Sequence, residues 1–373
     1  MRILVYGFKH AGKTSIGKLL AKKLNMPFID LDAELEKTYN KGKKKKLTFR
    51  EIYKKEGATY FRRLERKLYK QLVKKSHFIL AGVPVHTGVD ISACDHRIFL
   101  DVPPQILLSR ISKTGIPAFL KAHDLVDSFS KEYNARLPEY LRVFTMRIQN
   151  TQGKKRVVQE IRKKLQRPQL CVPIRAKNQE ELIKQLNTLT DEVDYVELWL
   201  DRFEPDYEEL LRHKKHPFIV VCKPKKEKGL FTGTQQERIK RLNKASHIAT
   251  YVDADTATAK KLTPATNCGI ISSYHNFTKT PSYSKLQTIV KNARGIPKVA
   301  TYATSEQDNI TLMRLLDGKQ KIITAMGAKG KTSRILAPLF GGMLMFAPLK
   351  KQHATAPGQL TVREMRKLYE GIV

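Results

Sequence analysis

Hydrophobic runs alternate with polar segments along the whole chain and fall into two groups. In the first 150 residues, strand-like runs at 3–6, 28–31, 78–81 and 97–100 alternate with amphipathic helical stretches. This alternation is typical of a layered α/β domain with a parallel sheet. Around residues 150–168 the chain turns polar and basic, with a short helical pattern at 157–165 and a proline at 168, so we expect a linker there.

A second group of β-rich runs follows the linker, at residues 170–174, 195–201, 218–222, 248–253, 269–274, 297–302, 321–326 and 343–347. Polar segments, most with a helical period, separate these eight runs. Eight β/α units are the elements that a (β/α)8 TIM barrel requires, and about 200 residues is the shortest length typical of that fold. We therefore predict an α/β domain at residues 1–166 and a barrel at 167–373. In such a barrel, catalytic groups project from the C-terminal ends of the strands.

The charge of the chain bears on its partners. The formal net charge is +35, and residues 41–75 hold 15 Lys or Arg against 3 Asp or Glu, including a lysine run at 43–46. Such charge can bind nucleic acid, attract anionic substrates or merely keep a lysine-rich protein solvated. No nucleic-acid recognition motif or interleaved aromatic pattern accompanies it, so nucleic acid is not expected as a physiological partner. A basic nucleic-acid-binding protein on enzyme scaffolds is kept as a rival hypothesis.

The spacing of the cysteines and the length of the apolar runs argue against a structural zinc site and a membrane protein. Cys94, Cys171, Cys222 and Cys268 are scattered without a CxxC pair, so no structural zinc site is expected. No apolar run reaches membrane-spanning length, and Met1 leads directly into a strand-like run rather than a signal peptide. We expect a cytoplasmic protein without a membrane partner.

A phosphate-binding motif follows the first strand-like run. The segment from Gly7 to Thr14 fits GxxxxGK(S/T) and opens an amphipathic helical stretch. In this motif the glycines let backbone N–H groups surround phosphate oxygens, the lysine neutralises the terminal phosphates, and the hydroxyl binds Mg²⁺. We predict a P-loop domain that binds ATP and Mg²⁺. The predicted ATP-binding residues are Gly7, Ala11, Gly12, Lys13, Thr14 and Ser15, with Thr14 as the Mg²⁺ ligand.

Three further segments make residues 1–150 resemble shikimate kinase. They are FIDLD at 28–32, FRRLE at 61–65 and RLPEY at 136–140. The resemblance implies that Asp32 binds shikimate hydroxyls, that Arg62 and Arg136 hold its carboxylate, and that Gly82 approaches it closely. Two guanidinium groups suit a carboxylate because each binds in a fork that fixes orientation as well as charge.

The same region departs from shikimate kinase in two places. The family's triple-glycine loop reads AGVP at 81–84, and its lid arginine is replaced by Ile116 in the segment IPAFL at 116–120. Arg110, Lys113 and Lys121 are alternative cations for the missing arginine. Because a lost phosphoryl-binding arginine can cost orders of magnitude in rate, a vestigial or regulatory kinase domain is the alternative to an active one.

A single lysine, Lys298, interrupts the apolar run at 297–302. Strands of a parallel barrel are covered on both faces, so a lysine there must point into the barrel mouth. We expect burial to lower its pKa and free the amine to attack a ketone.

Several ordered segments make residues 170–373 resemble type I 3-dehydroquinate dehydratase. They are YVELWLD at 195–201, SYHNF at 273–277, SR at 333–334, FG at 340–341 and APGQ at 356–359. The resemblance implies that Lys298 forms an imine with the substrate ketone, without a cofactor. It further implies that His275 is the general base and acid and that Glu227 orients His275. The implied substrate-binding residues are Glu197, Lys223, Arg334, Thr355 and Gln359.

Three positions depart from this second family. Trp199 and Lys223 stand where the family carries arginines, and Asn276 replaces an aspartate. The covalent groups are retained while part of the substrate-binding shell is altered, so we expect activity with a raised KM.

Together the two resemblances imply a bifunctional shikimate-pathway enzyme. Its two reactions are not consecutive, so a separate shikimate dehydrogenase is an expected functional neighbour. A homodimer formed through the barrel is one option for its assembly.

Overall fold

The structure is a computed structural model that describes residues 1–116, 120 and 122–372. It separates into two units, Met1–Leu165 and Gln166–Val373. Of the predicted lid segment, residues 117–119 lie outside the described residues, as does Lys121. In the described part of the chain, no helix combines the length and the apolar character needed to cross a membrane.

The first unit is built on a five-stranded parallel sheet with the order β2-β3-β1-β4-β5. Its strands are β1 (Arg2–Tyr6), β2 (Phe28–Asp30), β3 (Phe78–Ala81), β4 (His96–Asp101) and β5 (Met146–Gln149). The helices are α1 (Lys13–Leu24), α2 (Leu31–Tyr39), α3 (Phe49–Leu72), α4 (Pro104–Thr114), α5 (Leu125–Val143) and α6 (Lys154–Gln166). The predicted parallel α/β class is confirmed. The sequence missed β5, an edge strand whose Arg147 and Gln149 break the apolar pattern.

The second unit is an eight-stranded parallel barrel whose strands follow one another in chain order. They are β6 (Leu170–Ile174), β7 (Tyr195–Trp199), β8 (Phe218–Val221), β9 (Tyr251–Asp255), β10 (Gly269–Asn276), β11 (Ile296–Tyr302), β12 (Ile322–Met326) and β13 (Met345–Phe346). The helices are α7 (Gln179–Asn187), α8 (Tyr207–Arg212), α9 (Gln235–Ala245), α10 (Thr256–Ala259), α11 (Tyr283–Lys291), α12 (Gln307–Met313), α13 (Lys331–Leu336) and α14 (Val362–Glu370). The predicted TIM barrel is confirmed.

A layer of apolar side chains fills the lower part of the barrel. Its buried members are Cys171, Tyr195, Ile219, Tyr251, Ile271, Ile322, Leu344 and Phe346, with Ile296 packed against them. Side chains two residues apart on a strand share a face, so the residue two positions after a layer member also points inward, nearer the C-terminal end. Glu197, Asp253 and Lys298 stand in this relation to Tyr195, Tyr251 and Ile296. The strand period therefore places three charged groups directly above the apolar layer.

The barrel closes between β12 and β13, its last two strands. A backbone hydrogen bond from the Met343 N–H to the Lys321 carbonyl, 2.7 Å, joins the residues that precede these strands. On its other side β13 pairs with β6 at only two positions, Met345 with Leu170 and Phe346 with Cys171. We call this region the barrel seam.

Candidate active sites

The loop between β1 and α1 has the conformation that glycine permits. Gly12 has φ 93°, and a Cβ there would lie 2.7 Å from the Asn150 side-chain nitrogen. A Cβ on Gly7 would lie 2.7 Å from the Leu100 carbonyl oxygen. Asn150 donates from Nδ2 to the Ala11 carbonyl, 2.7 Å, which anchors the loop to the residue after β5. The backbone at the start of α1 is therefore held open, as anion binding at a helix N-terminus requires.

Lys13 and Thr14 begin α1 and face the loop. The Lys13 ammonium donates to the carbonyls of Gly7, 3.2 Å, and Phe8, 2.9 Å. Burial lowers the pKa of Lys13 to about 8, and the charge of Lys9 acts in the same direction. The Thr14 hydroxyl donates to Asp30 Oδ2, 2.9 Å. The loop thus places a half-buried cation beside a hydroxyl and a carboxylate.

The predicted shikimate-binding residues surround the same end of the sheet. Burial, aided by Asp30, raises the pKa of Asp32 to about 6, and Lys13 interacts electrostatically with both Asp32 and Arg136. Arg62 donates from Nη1 to Glu65, 2.7 Å, and Arg136 pairs through Nη2 with Glu132, 2.5 Å.

Gly82 and an unpredicted residue, His86, belong to this region too. A Cβ on Gly82 (φ 89°) would lie 3.3 Å from the Leu31 backbone nitrogen, so a side chain would press on the start of α2. Burial, together with the charges of Arg136 and Arg62, lowers the pKa of His86 to about 4. His86 therefore lies within electrostatic range of both predicted carboxylate-binding arginines.

The alternative lid cations are only partly described. Ile116 is 41% exposed. Arg110 donates from Nη1 to the His10 carbonyl, 3.2 Å, and from Nη2 to the Asn150 carbonyl, 3.0 Å. It also lines, with Ser15 and Lys154, a cavity beside Gly12. Arg110 therefore links the phosphate loop, through His10, to Asn150 after β5.

The barrel site is centred on Lys298, which is 4% exposed on β11. Its ammonium donates to Asp253 Oδ2 at 2.5 Å and to Glu197 Oε1 at 3.2 Å, and lies 4.0 Å from the centroid of the Phe346 ring. Burial alone would lower the pKa of Lys298, but the charges of Asp253 and Glu197 outweigh burial and raise it. The predicted lowering is therefore wrong, because the two carboxylates stabilise the ammonium.

His275, at the end of β10, faces Glu227 in the turn after β8. His275 Nδ1 lies 3.8 Å from Glu227 Oε2. Burial lowers the pKa of His275 well below its usual range, and Lys223 and Lys298 contribute in the same direction. Burial also raises the pKa of Glu227. The imidazole of His275 is therefore neutral at neutral pH and can accept a proton.

All eight residues predicted for the dehydratase reaction line one cavity at the C-terminal end of the barrel. They are Glu197, Lys223, Glu227, His275, Lys298, Arg334, Thr355 and Gln359. Burial lowers the pKa of Arg334 to about 10, so the guanidinium remains charged at neutral pH. The Gln359 side-chain carbonyl accepts from the Thr355 N–H, 2.8 Å, which ties these two residues into one loop.

The sequence analysis did not predict three charged residues of this site. Asp253 lies at the third position of β9, on the same face as Tyr251. Arg238, on α9, lies 4.0 Å from Glu227 and donates to Asp255 Oδ2 at 2.7 Å and to the Cys222 carbonyl at 2.5 Å. The acid-rich pattern YVDAD was the available signal for the two aspartates, but nothing local indicated Arg238. Arg238 connects Glu227 to the barrel wall.

Comparison with known proteins assigns both units. Residues 170–372 match the family model of type I 3-dehydroquinase. The chain belongs to that family. Residues 9–166 match the model of the shikimate kinase family, so the chain joins a shikimate kinase domain to a type I dehydroquinase domain, in the predicted order.

Individual proteins show the same two likenesses. A 3-dehydroquinate dehydratase of Dehalococcoides mccartyi is 34% identical over 219 residues, which cover 55% of this chain and 96% of that protein. A type I 3-dehydroquinate dehydratase structure from Clostridium difficile is 23% identical with a TM-score of 0.48, covering 55% of this chain and 92% of that one. A shikimate kinase structure from Aquifex aeolicus is 27% identical with a TM-score of 0.36, covering 44% and 96%.

Proposed function

We propose that the barrel dehydrates 3-dehydroquinate to 3-dehydroshikimate through an imine on Lys298. The observation that carries the proposal is one cavity holding a buried lysine, a neutral histidine beside a glutamate, and a buried arginine. The Lys298 nitrogen bonds to the ketone carbon and the carbonyl oxygen leaves as water. His275 then removes the C2 proton, the imine accepts the electron pair, and His275 returns its proton to the departing C1 hydroxyl. Water finally hydrolyses the imine and releases the product.

The amine must lose a proton before it attacks, because the pKa of Lys298 is raised. Asp253 Oδ2, 2.5 Å from Nζ, is placed to accept that proton, and Glu197 is the second carboxylate in contact. The pair also neutralises a charge that would be costly to bury alone.

The remaining residues that line the cavity orient the substrate. Arg334, charged and buried, suits the substrate carboxylate, because a guanidinium binds carboxylate in a fork. Glu197, Lys223 and the Thr355–Gln359 loop supply acceptors and donors for ring hydroxyls.

Borohydride trapping tests the dehydratase proposal. Borohydride added with 3-dehydroquinate is expected to leave a reduced adduct on Lys298, found by peptide mass mapping, and Lys298→Ala is expected to abolish adduct and turnover. Lys321→Met is the matched control, because Lys321 is also a buried barrel lysine but donates to the Leu315 carbonyl outside the cavity. An adduct on any lysine other than Lys298 contradicts the proposal.

For the first unit we propose ATP-dependent phosphorylation of shikimate to shikimate 3-phosphate. The phosphate loop with Lys13 at the start of α1 supports ATP binding, and Arg62, Arg136 and Asp32 support shikimate binding. The Thr14 hydroxyl and the Asp30 carboxylate are oxygen donors of the kind that Mg²⁺ prefers, so these two residues would hold the ion. Mg²⁺ bound there neutralises charge on the phosphates.

A coupled assay of ATP consumption tests the kinase proposal. Consumption is expected to depend on shikimate and to vanish in Lys13→Ala. If the protein binds ATP and shikimate but transfers no phosphate, the vestigial or regulatory kinase hypothesis replaces this one. Retention on DNA at physiological ionic strength is the observation that would favour the nucleic-acid hypothesis.

The cellular setting follows from the chemistry of the two reactions. The dehydratase product must be reduced before the kinase can act on it, so we propose a separate shikimate dehydrogenase as the functional neighbour. A cytoplasmic location and a homodimer through the barrel stay predictions.

A further inference from the structure

Trp199 is the protein's only tryptophan and lies in the wall of the barrel cavity, 6% exposed. It stands two residues after Glu197 on β7, so both side chains project from the same face of the strand. The indole N–H donates to Glu197 Oε2 at 2.6 Å, while Oε1 of the same carboxylate accepts from Lys298 at 3.2 Å. Glu197 is thus held at both oxygens, one by the indole and one by the reactive amine.

The Trp199 ring also holds two cations from the strands on either side of β7. Arg175, directly after β6, lies 4.4 Å from the ring centroid, and Lys223, two residues after β8, lies 4.7 Å from it. A cation over the face of an indole is attracted by the negative face of the ring. The ring therefore contacts two cationic side chains, of which Lys223 lines the cavity.

We propose that Trp199 is a positioning residue of the dehydratase site. Its N–H orients the Glu197 carboxylate toward Lys298 and the substrate hydroxyls, and its ring keeps Lys223 against the cavity wall. This inference rests on the proposed dehydratase function, because Glu197 and Lys223 are assigned there to substrate binding. Trp199 itself needs no contact with the reacting atoms.

Two substitutions separate the donor from the ring. Trp199→Phe keeps an aromatic face but removes the N–H, and Trp199→His restores an N–H on a smaller ring. Loss of one hydrogen bond to a charged group corresponds to about a tenfold change in an equilibrium constant. We expect Trp199→Phe to raise KM for 3-dehydroquinate about tenfold while kcat stays within about threefold, because Lys298 and His275 are untouched. Trp199→His should recover part of the KM change.

Tyr283→Phe is the matched control, since it also deletes an aromatic hydrogen-bond donor, here to the Arg314 carbonyl, outside the cavity. It should leave KM unchanged. If KM of Trp199→Phe matches wild type while the borohydride adduct on Lys298 still forms, the positioning role is overturned and the dehydratase function stands. If wild type forms no adduct, the function fails and the inference fails with it.

The unmodified protein offers a second measurement that does not depend on a variant folding. Because Trp199 is the only tryptophan, its emission reports on this site alone. Titration with 3-dehydroquinate or its product should change the emission spectrum, and the change should saturate as the site fills. An emission spectrum unchanged at saturating ligand would overturn the inference, since substrate in contact with Glu197 must alter its bond to the indole.

Discussion

Replacement of Asp253 by asparagine tests the most unexpected contact of the barrel site. Asp253 Oδ2 lies 2.5 Å from Lys298 Nζ, so at an effective dielectric constant of about 20 the attraction between the two charges is about 6–7 kcal/mol. Glu197, at 3.2 Å, supplies about 5 kcal/mol by the same relation. Asparagine keeps the shape and removes roughly half of this stabilisation of the ammonium, while burial continues to disfavour the charge.

We therefore expect the pKa of Lys298 to fall in Asp253→Asn by at least about two units, less than the full Coulomb energy because Glu197 and water can rearrange. Attack on the ketone needs the neutral amine. A lower pKa of Lys298 therefore moves the pH at which trapping is half-maximal to a lower value. The assay is the initial rate of borohydride trapping with 3-dehydroquinate across a pH series.

Asp317→Asn is the control, since Asp317 also pairs with a buried lysine, Lys321, but is itself exposed and lies outside the cavity. Its trapping profile should match wild type. A profile of Asp253→Asn that is unchanged, or shifted to higher pH, refutes the account in which Asp253 stabilises the Lys298 ammonium.

Three further outcomes are expected. His275→Ala should lose at least about a hundredfold in kcat for dehydration yet still give the Lys298 adduct, because proton transfer and imine formation are separate steps; absence of adduct in mass mapping contradicts this. Ile116→Arg should raise kcat for shikimate phosphorylation without changing KM by more than about twofold, measured by coupled ATP consumption; an unchanged kcat means that another residue or the 81–84 loop limits the reaction. Arg366→Met should lower the free energy of unfolding by about 1.5–3 kcal/mol in urea titrations, because it removes one of the two arginines that pair with the buried Asp194 carboxylate while Arg167 remains 2.5 Å from it; a loss below about 1 kcal/mol refutes this reasoning.

The sequence predicted both folds because each depends on a regular local pattern. The barrel strands lie within three residues of the predicted runs, since strands buried on both faces are continuous apolar segments. The edge strand β5 was missed for the converse reason, because only Met146 and Ile148 of its four residues are buried.

The charge state of Lys298 could not be predicted in the same way. Its carboxylate partners, Asp253 and Glu197, are 45 and 101 residues away along the chain. A lysine in an apolar strand indicates burial, and burial alone lowers its pKa, whereas the closed barrel brings two acids to the same nitrogen. Trp199 illustrates the same limit, because the sequence shows that an arginine has been replaced but not that the indole bonds Glu197.

The barrel seam has a consequence for local opening of the second unit. Backbone amides in long ladders exchange with solvent only through large unfolding events, whereas short ladders open at small free-energy cost. The two-residue pairing of β13 with β6 makes Met345 and Phe346 candidates for early hydrogen–deuterium exchange, ahead of the six-position ladder between β10 and β11. The chain passes from β13 to the Thr355–Gln359 loop, which lines the cavity. Local opening of the seam would therefore loosen one wall of the cavity while Lys298 and His275 stay fixed.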